Sequence, residues 1–373
     1  MPTHGSRARG QSPIYRPRNQ NRLSRIEFTF PPGLDSVVKA ELRERLPGLR
    51  GLHAAPGRSD EIRADYAGPW EPLLNPRTII APFLVLSFPA PRPGSLVSGE
   101  YFPEIVAAAR LVGELSAEPV LTFRFDAAGS SSAGYRRLAA RLADATGLRY
   151  EATGADLVLR FRRAADSPQG WEVLVRLCTR PLSRRPWRVR NFPGAANACV
   201  AAAMTRLAGP RPSQRFANLM CGSGTLLIER LLAVPARRAV AVDNDADALA
   251  ACAGNLKAAG LRDRVRLVHA DIAEDTWAAD GPFDVIMADP PWGTLSGRHD
   301  TNESLHAALL ERAYRAAAPG ARLVVLTHEI RVMERCLRQA SRLWTAQNVV
   351  RVFQKGHHPR IYVLARKRPV LHA

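Results

Sequence analysis

Short apolar runs alternate with segments long enough for helices throughout the C-terminal half of the chain. Runs of this length, bounded by helical segments, are typical of the buried parallel strands of a doubly wound α/β sheet. The runs are FANLM at 216–220, RAVAV at 238–242, VRLVH at 265–269, DVIMA at 284–288 and ARLVVLT at 321–327. Two further apolar stretches, 348–353 and 360–366, are separated by only six residues. This gap is too short for a crossover helix, so we expect an antiparallel hairpin at the sheet edge.

The first part of the chain mixes strands and helices in another order. Residues 26–30 are predicted to form a strand, and DSVVKAELRERL at 35–46 an amphipathic helix that ends before Pro47. EIRADY at 61–66 is a further strand, and a short helix beginning at Leu73 precedes the apolar strand APFLVLSF. This β-α-β-β-α-β order predicts a ferredoxin-like α+β domain over residues 26–100.

A second α+β unit is predicted over residues 101–190. Its elements are a helix at 102–115, a strand at 120–125, a basic helix at 135–147 and two strands with alternating apolar residues at 155–163 and 171–180. The doubly wound domain then occupies residues 191–373. Residues 1–25 contain six arginines and no acidic residue, among Gly, Pro, Ser and Asn, and are expected to be a disordered basic arm.

The charge of the chain is strongly positive, and almost all of it comes from arginine. The 373 residues carry a formal net charge of +19, and only four of the 53 basic residues are lysines. Arginine binds phosphate oxygens with two parallel hydrogen bonds and stacks on bases, so this excess favours a polyanionic partner such as nucleic acid. A GC-rich genome, which enriches Arg, Ala and Pro together, is the alternative explanation.

Other features of the composition exclude several classes of protein. The five cysteines are scattered and include no C-x-x-C pair, which argues against a disulfide framework and a zinc ribbon. His357 and His358 are adjacent rather than spaced for a shared metal, so no metal site is predicted. No apolar run approaches 18 residues, and no signal-peptide pattern is present. We therefore expect a cytoplasmic protein, monomeric and without a membrane segment.

Two groups of arginines are candidates for contact with a nucleic acid. Arg136 and Arg137 lie on the basic helix, whereas Arg184, Arg185, Arg188 and Arg190 surround Trp187 in the segment LSRRPWRVR. Arginines interleaved with an aromatic side chain can hold phosphates and stack on a base. A solvated linker between two domains is the alternative interpretation of this segment.

A glycine-rich turn follows the first strand of the doubly wound domain. The residues from Asn218 to Thr225 read NLMCGSGT and lead directly into the helical segment TLLIERLL. Two glycines at such a bend let a ligand approach the backbone, and the helix N-terminus offers unpaired N–H groups. The turn lacks the third glycine of G-x-G-x-x-G and the lysine of a P-loop, so neither NAD nor ATP is favoured.

Two acidic residues follow the next two predicted strands. Asp243 ends the strand RAVAVD, where a carboxylate could accept both hydroxyls of a ribose, although it could instead cap a helix. Asp271 follows VRLVHA, where its carboxylate could accept from an adenine amino group, with Ile272 beside it. These positions favour a cofactor that contains adenosine.

The most specific signal is Asp289-Pro290-Pro291-Trp292, which follows the apolar strand DVIMA. Two prolines after a strand end its hydrogen-bond ladder and make the turn rigid. The Asp289 carboxylate and the Pro290 carbonyl then supply acceptors for an amino group, and Trp292 supplies a flat surface for its ring. The alternative is a proline-rich turn with only a structural role. Such a turn would explain the two prolines but not the complete D-P-P-aromatic motif directly after this strand.

These ordered motifs resemble those of class I S-adenosylmethionine-dependent methyltransferases, and the D-P-P-W box resembles the branch that methylates exocyclic nitrogens. The sequence MCGSGTLLIE is similar to the corresponding motif of THUMP-containing RNA guanine-N2 methyltransferases. In that family, ferredoxin-like and THUMP domains precede the catalytic domain. Residues 126–182 resemble a THUMP core, and 191–204 resemble the segment that covers the cofactor. The family usually has Asp where this chain has Asn218, which keeps an acceptor but lacks the charge.

The resemblance implies S-adenosylmethionine as cofactor and N2 of guanosine, in tRNA rather than rRNA, as the methyl acceptor. It assigns catalysis to residues 289–292. The implied cofactor residues are Asn218, Met220, Cys221, Gly222, Ser223, Gly224, Thr225, Asp243, Asn244, Asp271 and Ile272. The alternatives left open are methylation of rRNA guanine, of an adenine N6 or of a protein glutamine. A non-catalytic RNA-binding protein with a vestigial methyltransferase fold is an alternative from another class.

Overall fold

The computed structural model describes residues 23–97, 99–165, 169–291, 299–354 and 356–368, and in residues 299–301 the backbone only. The predictions for most of the basic arm and for Trp292 therefore lie outside the described residues. The strands are β1 Ser24–Thr29, β2 Leu49–Ala54, β3 Glu61–Tyr66, β4 Ala81–Phe88, β5 Thr122–Asp126, β6 Arg149–Tyr150, β7 Leu157–Arg163, β8 Trp171–Arg176, β9 Arg215–Leu219, β10 Arg238–Asp243, β11 Arg266–His269, β12 Phe283–Ala288, β13 Ala317–Thr327, β14 Trp344–Arg351 and β15 Arg360–Arg366. The helices are α1 Asp35–Arg45, α2 Tyr101–Leu115, α3 Ala133–Thr146, α4 Ala198–Ala208, α5 Thr225–Ala233, α6 Ala246–Ala258, α7 His299–Ala316 and α8 Ile330–Gln339.

The first eight strands form one continuous sheet in the order β2-β3-β1-β4-β8-β7-β5-β6. Its first four strands have the order and antiparallel pairing of a ferredoxin-like unit, in which a 3₁₀ turn at Glu71–Leu74 takes the place of the second helix. Strand β4 pairs with β8 from Phe83 to Phe88, so the predicted boundary near residue 100 does not separate two sheets. The two predicted N-terminal units therefore share one hydrogen-bonded framework.

The two faces of this sheet differ in chemistry because successive side chains of a strand point to opposite sides. Ile26 and Phe28 are buried in the apolar core, whereas Glu27 between them accepts from Arg63 Nε at 2.7 Å on the other face. Arg63 also donates to Glu172 of β8 through Nη1 at 2.8 Å. Arg162 of β7 joins the same network through Glu61 at 2.7 Å. These ion pairs connect strands of both N-terminal units across their junction.

The C-terminal domain contains a seven-stranded sheet in the order β11-β10-β9-β12-β13-β15-β14. Strands β9 to β13 are parallel, and β15 pairs antiparallel with both β13 and β14. The doubly wound sheet and its antiparallel edge hairpin are thus confirmed. No helix among the described residues is long and apolar enough to span a membrane.

Candidate cofactor and catalytic site

The predicted functional residues of the C-terminal domain meet at one edge of its sheet. In the parallel register Leu219 lies beside Val242 and Ala288, and Asp243 lies beside His269. The carboxyl ends of β9, β10, β11 and β12 therefore adjoin, which is where open α/β sheets bind ligands. The turn after β9, the acidic residues after β10 and β11, and Asp289 after β12 all lie at this edge.

The turn after β9 follows a backbone path that requires its glycines. Met220, Gly222 and Gly224 all have positive φ, of 50°, 53° and 82°. A Cβ on Gly224 would lie 2.6 Å from Cys252 Sγ, so packing also demands glycine there. A Cβ on Gly222 would meet nothing within 4 Å among the described residues, which leaves open space beside this backbone. The turn is thus closed on the side of α6 and open where a cofactor would approach.

Asp243 is bound to the same turn by its carboxylate. Oδ2 accepts from Gly222 N at 2.7 Å, and Oδ1 accepts from Asp245 N at 3.0 Å. Burial raises the pKa of Asp243 above its usual value, although the two backbone donors oppose that shift. The N-cap of α6 is Asp245, whose side chain accepts from Asp247 N and Ala248 N, so Asp243 does not serve as that cap. Its half-buried carboxylate stays available for a ribose.

The other predicted cofactor residues surround this end of β10 and β11. Asp271 is exposed, and its Oδ1 accepts from Ala273 N at 2.8 Å, which orients the carboxylate. Ile272 is buried, and its carbonyl accepts from Trp277 Nε1 at 3.2 Å. Asn244 is exposed, and its carbonyl lies 3.0 Å from His269 Nε2. All three lie at the adjoining ends of β10 and β11, beside Asp243.

Asn218 presents a buried acceptor at the same edge. The side chain is fully buried, and its Nδ2 donates to the carbonyls of Met287 at 3.2 Å and Leu219 at 3.3 Å. These two bonds identify the other amide atom as Oδ1, which is buried and has no hydrogen-bond partner among the described residues. Leaving such an oxygen unsatisfied costs stability, so a donor from a ligand, such as a charged amino group, fits this position.

The D-P-P box begins directly after β12. Asp289 is half-buried, Pro290 is buried and Pro291 is exposed. Ala288, the last residue of β12, lies in register with Leu219 of β9 and Val325 of β13, so Asp289 emerges next to the glycine-rich turn. The structure thus brings Asp289 and Pro290 to the same edge of the sheet as the glycine-rich turn.

Two polar networks that sequence reasoning missed support this edge. Asn255 of α6 is fully buried, donates to Ser223 O and Arg190 O at 3.0 Å, and accepts from Arg190 N at 2.8 Å. It therefore holds the segment that precedes the domain against the glycine-rich turn. An Asn at a buried position of a helical pattern is the only signal the sequence carries for this role.

The second network joins α7 to the end of β13. The buried His306 lies 2.7 Å from Asn302 O through Nδ1 and 3.1 Å from Thr327 Oγ1 through Nε2. Thr327 Oγ1 accepts from Glu329 N, and Asn302 Nδ2 donates to Glu329 Oε1, which closes a ring of four residues. Burial lowers the pKa of His306, so its imidazole is neutral at physiological pH. The network ties α7 to the end of β13, the strand that pairs with β12.

The arginines predicted to contact RNA fall into two groups. Arg136, Arg137 and Arg184 are exposed, as an RNA contact requires. Arg185 is not available, because its side chain is 7% exposed and its Nε donates to Glu229 Oε1 at 2.8 Å. Trp187 is buried and cannot stack on a base. The RRPWR segment is neither a solvated linker nor an exposed RNA platform, since it packs between the two halves of the chain.

Comparison with known proteins finds sequence matches for the C-terminal domain and a structural match for nearly the whole chain. Residues 185–360 match the model of UPF0020, the RMKL-like methyltransferase domain. A tRNA (guanine(6)-N2)-methyltransferase of Archaeoglobus fulgidus is 28% identical over 195 residues, which are 46% of this chain and 49% of that protein. One of Thermus thermophilus is 32% identical over 191 residues, which are 51% of this chain and 55% of that protein. The matches thus span about half the length of these curated relatives.

The fold of nearly the whole chain also has a solved counterpart. The crystal structure of TrmN from Thermus thermophilus superposes with a TM-score of 0.72 at 24% identity, covering 92% of this chain and all of that one. At this identity the superposition concerns the fold, and it includes the shared N-terminal sheet as well as the C-terminal domain. Residues 185–360, just under half of this chain, thus resemble the RMKL-like methyltransferase domain in sequence, and the geometry of the strand ends agrees with that resemblance.

Proposed function

We propose that this protein is an S-adenosylmethionine-dependent methyltransferase that modifies N2 of a guanosine in tRNA. The observation that carries the proposal is the register of β9 and β12, which brings the Asp289-Pro290 acceptors next to the glycine-rich turn. The relatives named above, which act on guanine(6) N2 of tRNA, support the choice of nucleoside and RNA.

The residues at this edge fit the parts of S-adenosylmethionine. The buried Oδ1 of Asn218 suits its ammonium group, the Asp243 carboxylate suits the ribose hydroxyls, and Asp271 with Ile272 suits the adenine. The open space beside Gly222 admits a ligand close to the backbone. The bound cofactor would supply an electrophilic methyl group on a positively charged sulfur.

The remaining chemistry concerns the amino group of the target base, which is a poor nucleophile because its lone pair is delocalised into the ring. The Asp289 carboxylate and the Pro290 carbonyl would accept its two N–H bonds, which favours a pyramidal nitrogen with a localised lone pair. Catalysis by this chain is then mainly positioning and electrostatic stabilisation. Asp289 need not be a strong base, because the nitrogen becomes acidic only as its bond to carbon forms. The base must leave its stack to reach these acceptors.

Replacing Asn218 by aspartate tests the position of the ammonium group. A carboxylate would place an oxygen against the carbonyls of Leu219 and Met287, which now accept from Nδ2, at a cost of about 1–3 kcal/mol to the cofactor-free protein. A bound ammonium would offset the new charge. We therefore expect N218D to melt at a lower temperature without cofactor and to be stabilised more than the wild type by saturating S-adenosylmethionine. Equal ligand-induced shifts in the two proteins would contradict this assignment.

We propose that the N-terminal half of the protein binds the sugar-phosphate backbone of the tRNA. The double variant R136A/R137A should bind tRNA more weakly and reduce the slope of log affinity against log salt by about 1 for each phosphate that is no longer neutralised. R315A is a matched control, because Arg315 is exposed near the end of α7, at the sheet edge away from the site. Filter binding at salt concentrations from about 50 to about 200 mM measures the affinity for tRNA and hence these slopes. Identical slopes for the wild type and the double variant would remove these arginines from the interface.

Transfer of a radiolabelled methyl group tests the proposed function directly. Purified protein is incubated with labelled S-adenosylmethionine and, separately, with unmodified tRNA transcripts, rRNA fragments, duplex DNA and protein extract. Label is expected in tRNA. Label confined to rRNA, DNA or protein would select one of the alternative acceptors, and no label in any substrate would favour a non-catalytic protein.

A further inference from the structure

A surplus of positive charge is buried where the RRPWR segment meets α5. Glu229 of α5 is fully buried and accepts from Arg77 Nε and Nη2 at 2.8 Å and from Arg185 Nε at 2.8 Å. Two guanidinium groups thus already saturate its two oxygens. The charge of Glu229 opposes the effect of burial on the pKa of Arg188, but this carboxylate is already shared by Arg77 and Arg185.

Arg188 itself has only neutral hydrogen-bond partners among the described residues. Its Nη2 donates to Ala196 O at 3.0 Å and to Thr225 Oγ1 at 2.8 Å, and its Nε is buried without a partner. Burial lowers the pKa of Arg188 below its usual value, as expected for a cation that has lost its hydration. A buried guanidinium is costly unless an anion compensates it, and its planar donors match a carboxylate or phosphate.

The position of Arg188 relates this need for an anion to the cofactor turn. Thr225 is the first residue of α5 and follows Gly224 directly, and a helix N-terminus attracts anions rather than cations. The neighbouring Ser223 is 2% exposed, and its Oγ is also buried without a partner in the described part of the chain. Two orphaned polar groups therefore accompany a helix N-terminus at the turn that the cofactor would approach.

We propose that Arg188 binds the α-carboxylate of the cofactor's amino-acid end, with Ser223 Oγ as a further donor. This inference rests on the proposed function. The adenosine end is assigned to Asp243 and Asp271, on the β10 and β11 side of β9, so the amino-acid end extends along the turn from Asn218. Its two charges would then have separate partners, the ammonium at Asn218 and the carboxylate at Arg188.

A small carboxylate fits this place better than an RNA phosphate. Arg188 is half-buried under Ala196, and Asn255 holds the backbone of Arg190 against Ser223, so the segment covers the turn. A polyanionic chain needs exposed guanidinium groups, such as that of Arg184. The RRPWR segment, predicted to contact RNA, thus contributes one arginine to the domain junction and one to the cofactor.

Three ligands test the proposal. S-adenosylmethionine carries both charges of the amino-acid end, decarboxylated S-adenosylmethionine lacks only the carboxylate, and 5′-methylthioadenosine lacks the whole amino-acid end and with it the positive charge on sulfur. Calorimetric titration of R188A should show affinity for S-adenosylmethionine reduced about 10- to 100-fold, with the other two affinities unchanged. R188K should recover part of the loss. R237A is the matched control, because Arg237 is exposed just before β10, at the end of that strand away from the site, and should bind all three ligands like the wild type.

The outcomes separate this inference from the proposed function. If R188A and R188K lose affinity equally for all three ligands, Arg188 only supports the fold and the inference is wrong. It is also wrong if R188A binds S-adenosylmethionine normally but loses affinity for tRNA. If R188A fails to fold, the wild type and R188K still test the inference. The wild type must bind S-adenosylmethionine about tenfold or more tightly than the decarboxylated analogue, and R188K must reduce this difference in affinity. A wild type that binds no S-adenosylmethionine overturns the proposed function, and the inference with it.

Discussion

Replacing Asp289 by alanine is expected to slow methyl transfer to tRNA by about 100- to 1,000-fold, while the affinity for S-adenosylmethionine stays nearly unchanged. The carboxylate lies after β12, on the acceptor side of the site, whereas the residues assigned to the cofactor follow β9, β10 and β11. Loss of Asp289 removes an acceptor that fixes the amino group, so single-turnover rates report the effect.

D289N separates charge from hydrogen bonding at the same position. Its amide oxygen can still accept one N–H bond, so we expect a smaller loss of rate than in D289A if geometry dominates, and an equal loss if the negative charge does. Calorimetric titration with S-adenosylmethionine on each variant is the control. Unchanged turnover in D289A would refute the catalytic assignment.

Among the substitutions considered, replacing Glu229 by alanine is expected to lower the free energy of unfolding the most. This carboxylate is the common acceptor of Arg77, from the N-terminal half, and Arg185, from the segment between the halves. Its removal leaves two guanidinium groups with little compensation at a buried junction, a change that typically costs about 3–5 kcal/mol. E229A should therefore have a markedly lower melting temperature than the wild type. Thermal unfolding monitored by circular dichroism measures this difference.

An exposed ion pair is the matched control for this change. Glu311 accepts from Arg315 one turn along α7, and both side chains are more than half exposed. E311A should lower the free energy of unfolding by no more than about 0.5 kcal/mol. Equal melting temperatures for E229A and the wild type would show that the Arg77–Glu229–Arg185 cluster does not hold the two halves together.

The sequence predicted the C-terminal fold well because each strand there is a continuous apolar run. Buried parallel strands need apolar residues on both faces, and the short QKGHHP connection leaves only a hairpin for the last pair. The order of the motifs then brings Asn218, Asp243 and Asp289 to one edge, since the carboxyl ends of parallel strands coincide.

The errors have equally physical causes. The pairing of β4 with β8 depends on contacts between residues about 90 positions apart, which no local pattern reveals. Arg185 looked like an RNA contact because exposed and buried arginines are identical in sequence. Its partner Glu229 is 44 residues away, within a helix whose pattern gives no sign that a second domain covers it. Strand β2 is mostly exposed, and its apolar residues Leu49, Leu52 and Ala54 form no continuous apolar run that would have indicated a strand.

Nucleoside analysis of a methylated transcript tests the proposed chemistry most directly. Unmodified tRNA is incubated with the purified protein and S-adenosylmethionine, digested to nucleosides and analysed by mass spectrometry against standards for each methylated base. We expect N2-methylguanosine to accumulate with the wild type and to accumulate about 100-fold or more slowly with D289A. Accumulation of N6-methyladenosine instead, or of N2-methylguanosine at equal rates with both proteins, would contradict the assignment of Asp289 and Pro290 to a guanine amino group.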